Sequence, residues 1–266
     1  MNISFRRLGK FLAVAALLFV LSAGAFITIA YASHWWGSYH WMRTANPFNL
    51  KLGDNVSTTW DGHLATASGD WSVSSVLDTT IVPGRARRNC SPTKGRVEVC
   101  NKKYGNNGWL GLAQIWVSGS HITQGVTKMN DTYFNVAPYN TAAWRQFVVC
   151  QEIGHTFGLD HQDEIFNNAN LGTCMDYTND PTSNQHPNAH DYDQLKTIYA
   201  HLDAITTVFS KKFLALVPAP ADDDVDAPNP AEWGKVIKKS KDGRSSLHER
   251  NLGKGNKVFT FVIWAD

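Results

Sequence analysis

Hydrophobic and polar positions change period several times along the chain. Residues 11–32 are apolar or small without a break and follow an N-terminal decapeptide that carries Arg6, Arg7 and Lys10. From Ser33 onward, short runs rich in aromatic and β-branched residues predict strands at 38–43, 96–100, 110–117 and 122–128. Residues 60–77 have a mixed period and are expected to be helical. A stronger helical stripe covers 140–157: Asn140 is placed to cap it, Ala143, Phe147 and Val148 share a face, and Gly158 ends it. A further helix is expected from Asp191, with Gln194 completing a capping box, through Leu195, Ile198, Tyr199, Leu202 and Ile205. Strands followed by helices predict an α+β layer fold over 33–217.

The pattern changes again towards the C-terminus. Residues 218–231 hold four prolines and the aspartates Asp222, Asp223, Asp224 and Asp226, the composition of a solvated linker. Beyond it, 232–266 carries eight Lys/Arg against four Asp/Glu and ends in a strand-like run at 258–264. Turn signals at Asp242-Gly243 and Gly253-Lys254-Gly255 make this a small β-rich appendage.

Composition then narrows the class. With 43% hydrophobic and 18% charged residues the chain is neither disordered nor a charged tail. The net charge of +2 depends on the three N-terminal cations, so no basic excess remains to bind nucleic acid. Those cations, the apolar run and Ala30-Tyr31-Ala32 before Ser33 form a signal peptide over 1–32, with an uncleaved membrane anchor as the alternative. The remainder is expected to be secreted and monomeric, and to meet a membrane only if that segment stays uncleaved. Four cysteines in an exported chain favour two disulfides, and Cys90–Cys100 with Cys150–Cys174 is the natural pairing of three possible ones.

The candidate chemistry lies in the run from Cys150 to His161. On a helix, Gln151 and His155 are one turn apart and project from one face, so both can grip one metal ion. Glu152 is rotated by about 100° and can take a proton from a bound water without being a ligand. Gly158 lets the chain double back and present His161, and zinc suits such nitrogen donors.

This run, QExxHxxGxxH, resembles the HExxHxxGxxH of the metzincin zinc endopeptidases, which include matrixins and astacins. Met175, in Cys174-Met175-Asp176-Tyr177, stands where that family has its methionine turn, and 187–199 resembles the end of a matrixin domain. The resemblance implies a mixed twisted sheet, an active-site helix and a C-terminal helix. It implies Zn2+ held at positions 151, 155 and 161, Glu152 as general base, and Tyr177 helping to hold the transition state. A peptide or protein substrate would pair with 110–117 as a sheet edge. The departure is Gln151 where the family has histidine. Either Gln151 is a weak ligand, or Asp163, His186 or His190 completes the site, or the domain only binds. The expected activity is hydrolysis of peptide bonds. The alternatives are an inactive domain that holds peptide or cell-surface polymer, and a metal-braced surface protein.

Overall fold

A computed structural model describes residues 33–86, 89–208 and 229–265, so the signal-like segment 1–32 and most of the Pro/Asp segment lie outside it. In chain order the elements are β1 (His40–Trp41), β2 (Phe48–Asn55), α1 (Thr58–Trp71), β3 (Leu77–Pro83), β4 (Val97–Lys102), β5 (Trp109–Ser118) and β6 (His121–Asn130). They continue with α2 (Asp131–Phe134), α3 (Ala142–His155), α4 (Ala189–Ile198), β7 (Lys235–Lys239), β8 (Ser245–Gly253) and β9 (Asn256–Trp264). The fold is α+β, with one nine-stranded mixed sheet among the described residues, in the order β3-β2-β4-β6-β5-β9-β8-β7 and with β1 paired to the start of β6. β1 to β4 and β6 run parallel, while β5 and β7 to β9 add antiparallel ladders.

Helix α3 packs on α1 and against β5 and β6. Thr141 caps it by accepting from the Trp144 amide, one residue later than the expected Asn140 cap. From Gln146 to His155 every residue is buried, so the helix runs through the core rather than over it. A buried helix end needs partners for its last carbonyls. Trp36 Nε1 donates to His155 O, Trp41 Nε1 to Thr156 O and the Tyr199 hydroxyl to Phe157 O. Gly158 follows with φ +101°, where a Cβ would come within 2.4 Å of the Tyr39 carbonyl.

Several elements differ from the sequence expectation. The 38–43 strand is cut to two residues, because Gly37 and Ser38 turn through positive φ just before it. The helix expected over 60–77 ends at Trp71, and its last residue, Leu77, opens strand β3, which continues through the β-branched Thr79 to Val82. β2 has no β-branched residue and gave no strand signal; it is held by the buried Leu50 and Leu52. α4 starts earlier than Asp191, since Asn188 is the cap and Asp191 the third residue of the box. It stops at Ile198, leaving Leu202 and Ile205 exposed.

The largest difference is at the C-terminus. The strands of 232–266 are not an appendage: β9 pairs with β5 from Trp264 opposite Trp109 to Asn256 opposite Ser118, and Ser33–Asp266 forms one unit. The cause is apolar area. Phe259, Phe261 and Ile263 join the main core on one face of β9, while Val262 packs with Trp109, Leu112 and Trp233 on the other.

Candidate active site

Helix α3 places Gln151, Glu152 and His155 in the core, all at most 1% exposed, and the turn after Gly158 returns His161 beside them. His155 Nε2 and His161 Nε2 are 2.9 Å apart. His155 Nδ1 lies 2.8 Å from the Leu159 carbonyl, which fixes Nδ1 as the donor and leaves an Nε2 lone pair facing His161. Gln151 Nε2 donates to Cys174 O at 2.9 Å, so its amide oxygen points elsewhere, buried and without a partner. One Glu152 carboxylate oxygen is buried and unpartnered as well.

Charge in this pocket follows burial. Desolvation pushes the Glu152 carboxyl well above the usual carboxylate range. Burial, reinforced by His161, holds His155 well below the ordinary imidazole value. Burial also opposes charge on His161, but Asp160 and Glu164 outweigh it and raise that group; their nearest oxygens are 3.3 and 3.6 Å from Nδ1. Lys238 of β7 closes this group, 2.8 Å from Asp160 and 2.9 Å from Glu164.

The turn that carries Met175 packs against the helix. Met175 is buried and touches α3 at Gly154, where a Cβ would come within 2.6 Å of its sulfur. Tyr177 stacks on the His161 ring at 4.0 Å, and its hydroxyl bonds Ser245. Burial raises that phenol well above its usual value. Disulfides join Cys150 to Cys174 and Cys90 to Cys100. The first ties α3 directly to the residue before Met175.

The other candidate ligands have different duties. Asp163 caps the turn at Ile165 and bridges to the strand-like Asp176. His186 bonds Asp70 at 2.7 Å and is mostly exposed. The His190 ring lies against His34, with centroids 4.7 Å apart and planes tilted by 46°.

Strand β5 passes directly over the helix: a Cβ on Gly111 would meet Val148 at 2.4 Å and the Glu152 carboxylate at 3.0 Å. It is not the sheet edge the resemblance implied, because β6 and β9 pair with its two sides. From β9, Phe261 lies flat on the His155 imidazole, with centroids 4.1 Å apart and planes 12° apart. The cavity left between His161, Tyr177, Leu247 and Phe261 is about 10 Å³, of the order one water needs. Phe261, Ser245, Lys238 and Glu164 thus border the site, and the sequence reading named none of them. A signal was present: nine of the ten β5 residues are buried, and an apolar run interrupted only by Gln114, as Trp109 to Val117 is, belongs to a strand covered on both faces.

No family model matches the chain, and no curated protein matches it. Among solved structures, one described as "Structure of myroilysin" is similar at 12% identity and a TM-score of 0.35, over 60% of this chain and 96% of that one. Another, "Crystal structure of myroilysin", gives 11% identity and a TM-score of 0.34, over 60% and 86%. Likeness at this level assigns neither fold nor activity.

The residues present suit a metal ion. Two imidazoles turn their Nε2 atoms to each other, and beside them on α3 two acceptor oxygens are buried with no donor. Neutral nitrogen donors and an amide oxygen are a zinc-compatible set.

Proposed function

We propose that the chain is a secreted zinc-dependent endopeptidase that its own C-terminal strand holds latent. The observation that carries this reading is the buried group of His155, His161, Gln151 and Glu152, in which the two imidazoles face each other and the Gln151 amide oxygen and one Glu152 oxygen lack partners inside the protein. An ionisable carboxyl without a partner is costly to bury, which supports a chemical task for Glu152.

His155 and His161 would hold the metal through Nε2, and Gln151 through its amide oxygen. Bound zinc supplies Lewis-acid polarisation of the scissile carbonyl and a water of lowered pKa. Glu152 takes the proton of the attacking water and hands it to the leaving amine. Tyr177, once its hydroxyl leaves Ser245, donates to the developing oxyanion. The backbone of β5 pairs with an extended peptide in the place β9 now fills, which aligns the scissile bond over Glu152. While β9 is seated, Phe261 keeps substrate off His155.

The test is a site-specific protease sequence inserted within 209–228, with cleavage of an unstructured protein measured before and after nicking. The nicked, zinc-loaded protein is expected to cleave at least about 100-fold faster than the intact one, to be stopped by chelator, and to be inactive as Glu152→Gln. A nicked protein that has released 229–266 and binds zinc but cleaves nothing would overturn the enzyme reading in favour of a binding domain.

A further inference from the structure

A second cluster of metal-ligating side chains lies apart from the residues just described. His40 sits on β1, directly opposite His121 of β6 in the parallel ladder. The segment after α4 runs along β1, with the Asp203 amide donating to Arg43 O and the Thr207 amide to Met42 O, and it brings His201 and Asp203 to the same spot.

The geometry there is unusual for plain hydrogen bonding. Asp203 Oδ1 faces three imidazole Nε2 atoms, those of His40 at 3.7 Å, His121 at 3.7 Å and His201 at 3.8 Å. None is close enough for a hydrogen bond, yet all three converge on one oxygen. His40 Nε2 and His201 Nε2 are 3.1 Å apart. Ligands about 2.0–2.1 Å from a tetrahedral zinc lie roughly 3.3–3.4 Å from one another. The observed 3.1, 3.7 and 3.8 Å among His40, His201 and Asp203 bracket that spacing.

The surroundings orient these ligands as metal sites require. His40 Nδ1 lies 2.9 Å from the Ser38 carbonyl, so Nδ1 is the donor and Nε2 is left with its lone pair. The buried Arg43 guanidinium holds Asp203 Oδ2 at 2.9 Å and also bonds the His201 carbonyl. Only Oδ1 is therefore turned towards the imidazoles. A cleft of about 310 Å³ beside His40 and His201 gives access from solvent.

We propose that His40, His201 and Asp203 form a second metal site for a borderline divalent cation, zinc above all, with His121 next to it. Imidazole-rich donors suit zinc and disfavour calcium and magnesium, which take oxygen ligands. The ion would clamp the segment that enters the domain at Ser33 to the segment that leaves α4. The inference does not rest on the peptidase reading.

The test is zinc titration of the metal-free full chain, with bound metal counted and a cobalt(II) spectrum recorded. His201 is about half exposed, so His201→Ala should fold. Wild type is expected to bind two zinc ions per chain, and His201→Ala to lose one, with affinity there falling more than about 100-fold and the tetrahedral cobalt signal reduced. The His155→Ala/His161→Ala double variant should keep the ion that His201→Ala removes. One ion in wild type, removed by His201→Ala and not by the double variant, supports this site and sinks the zinc reading of His155. Unchanged stoichiometry and affinity in His201→Ala would make the cluster a hydrogen-bonded imidazole pair and overturn the proposal. Should His201→Ala not fold, His201→Phe, which keeps a ring at this half-exposed position and removes the nitrogen donor, read by the same cobalt signal decides between the same outcomes.

Discussion

Burial of Glu152 makes its ionisation oppose folding of the metal-free chain. Its folded value lies above the ordinary 4.5, so stability is full below about pH 4.5 and is lost as pH rises from there towards the raised value. The slope is about 1.4 kcal/mol per pH unit. Glu152→Gln should therefore unfold at a higher temperature than wild type at pH 7 in chelator and match it near pH 4, which calorimetry can check; equal midpoints at both pH values would remove the strain argument. Gln151 invites the opposite kind of change. Gln151→His should raise zinc affinity and slow removal by chelator. Gln151→Ala should lower affinity by more than about 100-fold and leave the Cys174 carbonyl unpaired, at about 1–3 kcal/mol. Identical zinc affinity in the three proteins would mean that residue 151 does not touch the metal. These four positions, 151, 152, 155 and 161, could be read from the sequence because helical spacing and one glycine turn are local rules. Phe261 and Lys238 could not, because strand pairing brings them from far along the chain, Lys238 from 78 residues beyond Asp160.

At the scale of elements, the pairing of β5 with β9 decides what the site can reach. Phe261→Ala removes a buried ring from the core and from His155 at once. Stability should fall by about 3–5 kcal/mol, while peptide cleavage by the intact chain rises. A variant that loses stability with no gain in cleavage would separate the ring's packing from any occluding role. The helix that carries the site was legible because its apolar stripe, cap region and terminal glycine agree. Its immediate neighbours were less so. β2 reads as Leu and polar residues in turn, and β3 follows a helix so closely that Leu77 was assigned to that helix. In β2 burial against the sheet supplies the stability that intrinsic preference does not, whereas β3 buries only Leu77 and draws on the β preference of Thr79 to Val82.

At the scale of the whole molecule, the Cys150–Cys174 link closes a loop around the site, with a sequence separation of 24. Its loss should cost about 3 kcal/mol in the chain-entropy model. Cys150→Ala/Cys174→Ala should show this as a lower denaturant midpoint, and an unchanged midpoint would deny the staple a role. Two disulfides, and no helix among the described residues long and apolar enough to cross a membrane, are compatible with life outside the cell. The α+β class followed from element order, but the unity of 33–266 did not, because a Pro/Asp-rich stretch looks the same whether the chain beyond it leaves the domain or returns to it. That β9 returns on a covalent tether has a kinetic meaning. A tethered strand competes for β5 at an effective concentration in the millimolar range, whatever the dilution of the protein. A free peptide of equal intrinsic affinity would have to reach millimolar levels to displace it. Cutting the tether abolishes that advantage without altering a single contact, so under the latency proposed above dilution alone would then uncover β5.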